Sequence, residues 1–195
     1  MKKNIITSII LALFFFTGCI KNDPVIVSAA LAEFDATALN ANAAGLTYPI
    51  LGRNPGYGRV ANTTDSTLRR YAQIIRLRVN LVGPQSAQDE TVGYDLFTTL
   101  PITSFSMPAT ITGQTPAAAA ATLNVSLATA GTDFTALSGK LTIPKNSSFG
   151  YLELPILAKS GIAGEGKFVG FTLNNSGTIK ASVNYSQLGL VIDQR

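Results

Sequence analysis

Residues 128–157 read ATAGTDFTALSGKLTIPKNSSFGYLELPIL, and this stretch decides the fold class. Leu141 and Ile143 alternate with polar residues, then a Pro144-Lys-Asn-Ser-Ser148 turn intervenes. After it Leu152, Leu154 and Ile156 alternate again through a second run, Gly150 to Leu157. An apolar period of two places one set of side chains on a single face, which is the pattern of strands and not of helices. Pro155 interrupts the second run, and a residue without an N–H belongs on an edge strand or at a bulge.

The same pattern spreads outward. In QIIRLRVNLVG, residues 73–83, Ile75, Leu77, Val79 and Leu81 alternate with Ile74, Arg76, Arg78 and Asn80, so one face is apolar and the other mostly wet. TVGYDLF follows the polar GPQSAQDE, and residues 68–97 are expected to form a hairpin. Further strands are expected at 167–174, 178–183 and 188–193, with the first near 26–34. Two long stretches, 36–67 and 98–124, exceed ordinary hairpin loops and read as insertions. Within the second, TPAAAAATL fits a short helix or a plain loop.

Three motifs in the opening stretch carry a family resemblance. Ala130-Gly-Thr-Asp-Phe134, Gly139-Lys-Leu-Thr-Ile-Pro144 and Leu154-Pro-Ile156 resemble successive elements of Calx-beta domains, and GKFVGFTLNN, residues 166–175, resembles the strand that follows them. The resemblance is specific over 128–174 and looser over 68–97. It implies an all-β, immunoglobulin-like antiparallel β-sandwich of about seven strands, here with two long loop insertions. Phe134, Leu141, Ile143, Leu154 and Phe171 are the expected core.

The N-terminus decides location. Lys2 and Lys3 precede an apolar run from Ile5 to Phe16, and Thr17-Gly18 lead into Cys19, the only cysteine in 195 residues. A positive start, an apolar core of about a dozen residues and small residues before a cleavage point make a secretory signal, too short for the roughly 20 residues of a bilayer span. The segment resembles a bacterial lipoprotein signal, with Phe16 where Leu is usual. It implies removal of residues 1–18, lipid on Cys19, a tether over 19–25 and one domain over 26–195. The other reading is an ordinary signal peptide with an incidental thiol at Cys19. Asp65-Ser66-Thr67 resembles the O-glycosylation acceptor of exported Bacteroidota proteins, with Ser66 as acceptor, so the expected setting is the outer membrane, on either its periplasmic or its cell-surface side.

Composition excludes several functions. The formal charge is +4 over the whole chain and +2 without Lys2 and Lys3, which gives no basic patch for nucleic acid. The sequence has no histidine, so His-based triads, Cys-His pairs and His-ligated zinc are excluded. Calcium, which the resemblance first brings forward, needs several oxygen ligands. The loop where the acids would stand, AKSGIAGEGK, has Glu165 alone, Asp133 reads as a turn cap and Asp89-Glu90 as a solvated pair. No cofactor, metal site or enzymatic activity is expected.

Binding is the class that remains, and TYPILGRNPGYGRV, residues 47–60, is its candidate segment. Tyr48, Arg53, Tyr57 and Arg59 offer aromatic faces and planar donors to a protein or glycan partner. The competing reading is that Tyr48 and Ile50 only pin the loop to the sandwich. The expected function is thus a lipid-anchored binding or adhesion module, or alternatively a structural subunit of an envelope assembly.

Overall fold

The computed structural model describes residues 29–35, 42–55, 68–69, 73–109, 119–158 and 162–194. Every regular element among them is a strand. One sheet contains β1 (Leu31–Phe34), β3 (Gln73–Val82), β8 (Phe149–Ile156) and β10 (Lys180–Ala181), in the order β10-β1-β3-β8. The other has the path β2 (Ile50–Leu51), β11 (Gln187–Asp193), β9 (Glu165–Asn174), β4 (Glu90–Leu96), β7 (Lys140–Ile143). A further pair, β5 (Ser104–Met107) and β6 (Ala121–Leu127), joins this sheet through β6, which runs parallel to the start of β9.

Between the sheets lies one apolar core. From the first sheet come Phe34, Ile75, Leu77, Val79, Leu152 and Leu154, and from the second Val92, Leu141, Ile143, Val169, Phe171 and Leu190, all buried. Cross-strand register puts like with like, since Ile75 opposes Leu154, Leu77 opposes Leu152 and Leu190 opposes Val169. The sequence-expected core residues Phe134, Leu141, Ile143, Leu154 and Phe171 are all in it. The molecule is therefore an all-β two-sheet sandwich.

β8 forms the outer edge of its sheet, which is where Pro155 fits. The 133–135 turn covers that edge, for Thr135 N–H donates to the Pro155 carbonyl at 2.9 Å and Leu157 N–H to Asp133 O at 3.0 Å. Asp133, nearly buried, accepts from Thr129 N–H at 2.8 Å through Oδ2, so its carboxylate closes the turn it was expected to cap.

The expected 68–97 hairpin does not exist. β3 pairs with β1 and β8, whereas β4 pairs with β7 and β9 in the opposite sheet. The 144–148 turn likewise passes from β7 in one sheet to β8 in the other. Alternation fixes which side of a strand is apolar, and in a sandwich both sheets turn that side inward, so it cannot assign the partner. At the second crossing a Cβ on Gly150 would lie 2.3 Å from the Thr142 carbonyl oxygen, so only glycine lets the corner close.

Other expectations shift as well. The strand expected at 178–183 shrinks to β10, with one bridge from Ile179 to Val92. The described part of the 98–124 insertion holds β5 and the start of β6, and Ala121 to Leu123, placed in a short helix or loop by sequence, are strand. These residues cap a second apolar cluster on the outer face of the larger sheet. Met107, Leu123 and Val125 pack there on Phe168 and Val191, with Phe97 and Phe105 against them. β9 thus buries both faces: Val169 and Phe171 point into the sandwich and Phe168 points out of it.

Candidate functional site

Cys19, Tyr57, Arg59, Ser66 and residues 1–28 lie outside the described residues, as do 56–67 of the first insertion. Tyr48 and Arg53 are described. β2 carries the segment between them onto the free edge of β11, where Gly189 N–H donates to the Pro49 carbonyl at 2.9 Å and Leu68 N–H to the Gly52 carbonyl at 3.0 Å. Tyr48 is buried, its ring edge-on to Phe97 at 5.4 Å between centroids. Burial pushes its phenol pKa above the ordinary value. Arg53 is half-buried and its Nη2 donates to the Ala109 carbonyl, which ties the end of the segment to the chain leaving β5. Tyr48 thus packs on Phe97 while Arg53 bonds the Ala109 carbonyl, and no contact joins the two side chains among those described.

A half-open cleft of about 500 Å³ lies beside Tyr48. Tyr48 and Pro49 form its buried floor, the exposed Asn42 and Thr47 one rim, and residues 183–187 the opposite wall. Backbone hydrogen bonds hold both sides. On one, Ala43 N–H donates to Tyr48 O at 3.0 Å and Leu46 N–H to Ala43 O at 2.9 Å. On the other, Phe34 N–H donates to Tyr185 O and Leu173 N–H to Ser186 O, both at 2.8 Å. Tyr185 has a φ of 50°, in the left-handed region, and the residue is 51% exposed. A non-glycine residue there is held by its surroundings against its own preference.

Its described lining comprises Asn, Thr, Tyr, Pro, Val, Ser and Gln, and the two phenols, Tyr48 and Tyr185, are its titratable side chains. Among the described residues no three Asp or Glu side chains converge as metal ligands. Asp89 accepts from Lys145 N–H at 2.9 Å. Glu90 accepts from Thr178 Oγ1–H, and that bond, followed by one from Ser86, lowers its carboxyl pKa.

The wall at 183–187 escaped the sequence reading because it carries no motif. Its one local signal is an Asn184-Tyr185-Ser186 turn composition, which marks a loop and not a site. A second surface missed for the same reason is the outer face of the smaller sheet. There Ile74, Phe149 and Tyr151 are exposed, Phe149 and Tyr151 meet edge-on at 5.6 Å, and the Arg78 guanidinium lies 5.3 Å from the Phe149 centroid. Arg76 Nε pairs with Glu153 Oε1 at 2.8 Å on the same face, and Arg78 pairs with the buried Asp35.

No protein-family model matches the chain, and no curated protein matches it. Among solved structures it is similar to the apo-form Calx CBD1 domain at 17% identity and TM-score 0.41, over 64% of this chain and 85% of that one. It is similar to CBD12 from CALX1.2 at 17% identity, and to the calcium binding domain CBD12 of CALX1.1 at 16%, both with TM-score 0.41 over 64% of this chain. The matched part spans 40% and 39% of those two longer chains. The two-sheet architecture given above rests on the strand pairing itself.

Proposed function

We propose that this protein is a non-catalytic binding module, held on the bacterial outer membrane through lipid on Cys19, that captures a protein or glycan partner. The carrying observation is the cleft beside Tyr48, framed by two loops fixed through backbone hydrogen bonds and lined, among the described residues, without acid, amine or thiol. Fixed loops on a rigid sandwich spend little conformational entropy on binding. In this reading Arg53, Tyr57 and Arg59 add contacts to the partner. On the same reading the lipid alone attaches the protein, at about 0.8 kcal/mol per buried methylene, and Ser66 carries Bacteroidota-type glycosylation.

A structural subunit is the second reading, and the exposed Ile74, Phe149 and Tyr151 on the smaller sheet favour it. Detergent capture with the tagged full-length lipoprotein separates the two. A module releases its partner on dilution and is unaffected by Phe149→Ser with Tyr151→Ser, whereas a subunit co-purifies stoichiometrically and loses its partner in that variant. Capture of nothing above the background of an unrelated lipoprotein refutes both.

A further inference from the structure

The cleft between residues 42–49 and 183–187 has a lining that selects a chemical class. We infer that it is a binding site for a neutral saccharide, an inference that rests on the binding-module reading and assigns its ligand. Among the described residues none of its side chains is charged, so an anionic or cationic ligand would exchange its hydration for a surface with no countercharge. The amides of Asn42, Asn184 and Gln187 each carry an acceptor oxygen and two donor hydrogens. Hydroxyl groups on a sugar ring are likewise donor and acceptor at once, and paired amides satisfy neighbouring hydroxyls without any change of charge. Gln187 spends one donor on Thr172 Oγ1 at 3.3 Å, which orients the rest of its amide.

An apolar surface accompanies these donors. The Tyr185 ring is half exposed and Val183, 95% exposed, stands two residues before it. A sugar ring has an apolar C–H face beside its hydroxyl edge, so an exposed phenol next to amides matches both parts of it. Tyr185 is also the residue held at a positive φ, with its carbonyl fixed by Phe34 N–H and the next carbonyl by Leu173 N–H. Those two bonds over-determine its backbone, and residues held in this way recur at ligand-binding loops. The volume of about 500 Å³ falls within the range of roughly 300–1,000 Å³ typical of small-ligand clefts, and the half-open side leaves room for a longer glycan to continue.

The test is a panel of neutral hexasaccharides of glucose, mannose and galactose against an anionic polygalacturonate hexasaccharide, titrated calorimetrically into the full-length protein in detergent. At least one neutral series should bind saturably with an affinity indifferent to salt. Tyr185→Gly should weaken that binding by about tenfold or more while leaving the melting temperature unchanged or higher, since glycine removes the left-handed strain along with the ring. Asn184→Ala, at an exposed position of the 183–187 wall, should weaken binding without unfolding. Preference for the anionic probe, no binding by any neutral probe, or undiminished binding by Tyr185→Gly overturns the assignment. If the parent captures a protein from envelope extracts but binds no sugar, the saccharide inference falls and the binding module stands; if it captures neither, both fall.

Discussion

Substituting Gly170 by alanine tests the second apolar cluster most sharply. A Cβ built there would lie 2.5 Å from Cγ and 2.6 Å from Cδ2 of Phe97, and 2.8 Å from Cε1 of Phe168. Carbon pairs rest comfortably at about 3.5–4.0 Å, so both rings must retreat by about 1 Å. They have little room, because Phe97 is held edge-on by Tyr48 and tilted against Phe168 at 5.9 Å. Overpacking of this kind costs about 1–3 kcal/mol, partly offset by about 0.5–1 kcal/mol that alanine regains over glycine in a strand. A net destabilisation of about 1–2 kcal/mol is expected, read as a lower urea midpoint at unchanged slope. Phe97→Leu should absorb part of the clash, so the double variant should be less destabilised than the sum of the singles by about 0.5–2 kcal/mol. A Gly170→Ala protein as stable as its parent, or strictly additive singles, would refute the packing described for this face.

Further outcomes can be stated together. Phe171→Ala, which empties a fully buried site and removes an edge-on partner of Tyr94 at 6.0 Å, should cost about 3–5 kcal/mol in the same titration. Asp133→Ala removes the buried acceptor of Thr129 N–H, a donor that the otherwise exposed turn leaves open to water, and should cost about 0.5–1.5 kcal/mol. Glu33 has its carboxyl pKa raised above 4.5 by burial and then by Asp35, so the folded state holds its proton more tightly than the unfolded chain. Its ionisation therefore lowers stability as pH rises through the raised pKa. Glu33→Gln should gain on the parent in melting temperature at neutral pH, with the gain fading below pH 4.5, and a pH-independent difference would contradict this. Cys19→Ala should leave the membrane fraction, and retention after high-salt washing would defeat the lipid anchor.

Period-two alternation made β3, β7, β8, β9 and β11 legible, and Pro155 marked an edge strand. The pairing of those strands was not legible, because a strand facing the core looks the same whichever sheet holds it. The outer cluster was hidden for a related reason. Phe105 and Met107 alternate over only four residues of β5, and the glycines that admit Phe97 and Phe168 look like weak points of a strand until the rings are seen above them. At the candidate site, the aromatic and cationic residues of 47–60 drew attention by composition. Tyr48 turned out to be cleft floor, and the opposite wall came from a polar turn more than a hundred residues later in the chain. Such a site is assembled by topology, through β2 and β11 lying side by side, and no local pattern encodes it.

Recognition through the cleft is the central claim, and capture from detergent-solubilised envelope by the tagged full-length protein, run beside its Tyr185→Gly variant, tests it most directly. The account predicts a partner retained by the parent and lost by the variant, with melting temperatures equal or the variant's higher. Equal capture by both proteins, or loss of capture that follows a fall in the variant's melting temperature, would contradict it.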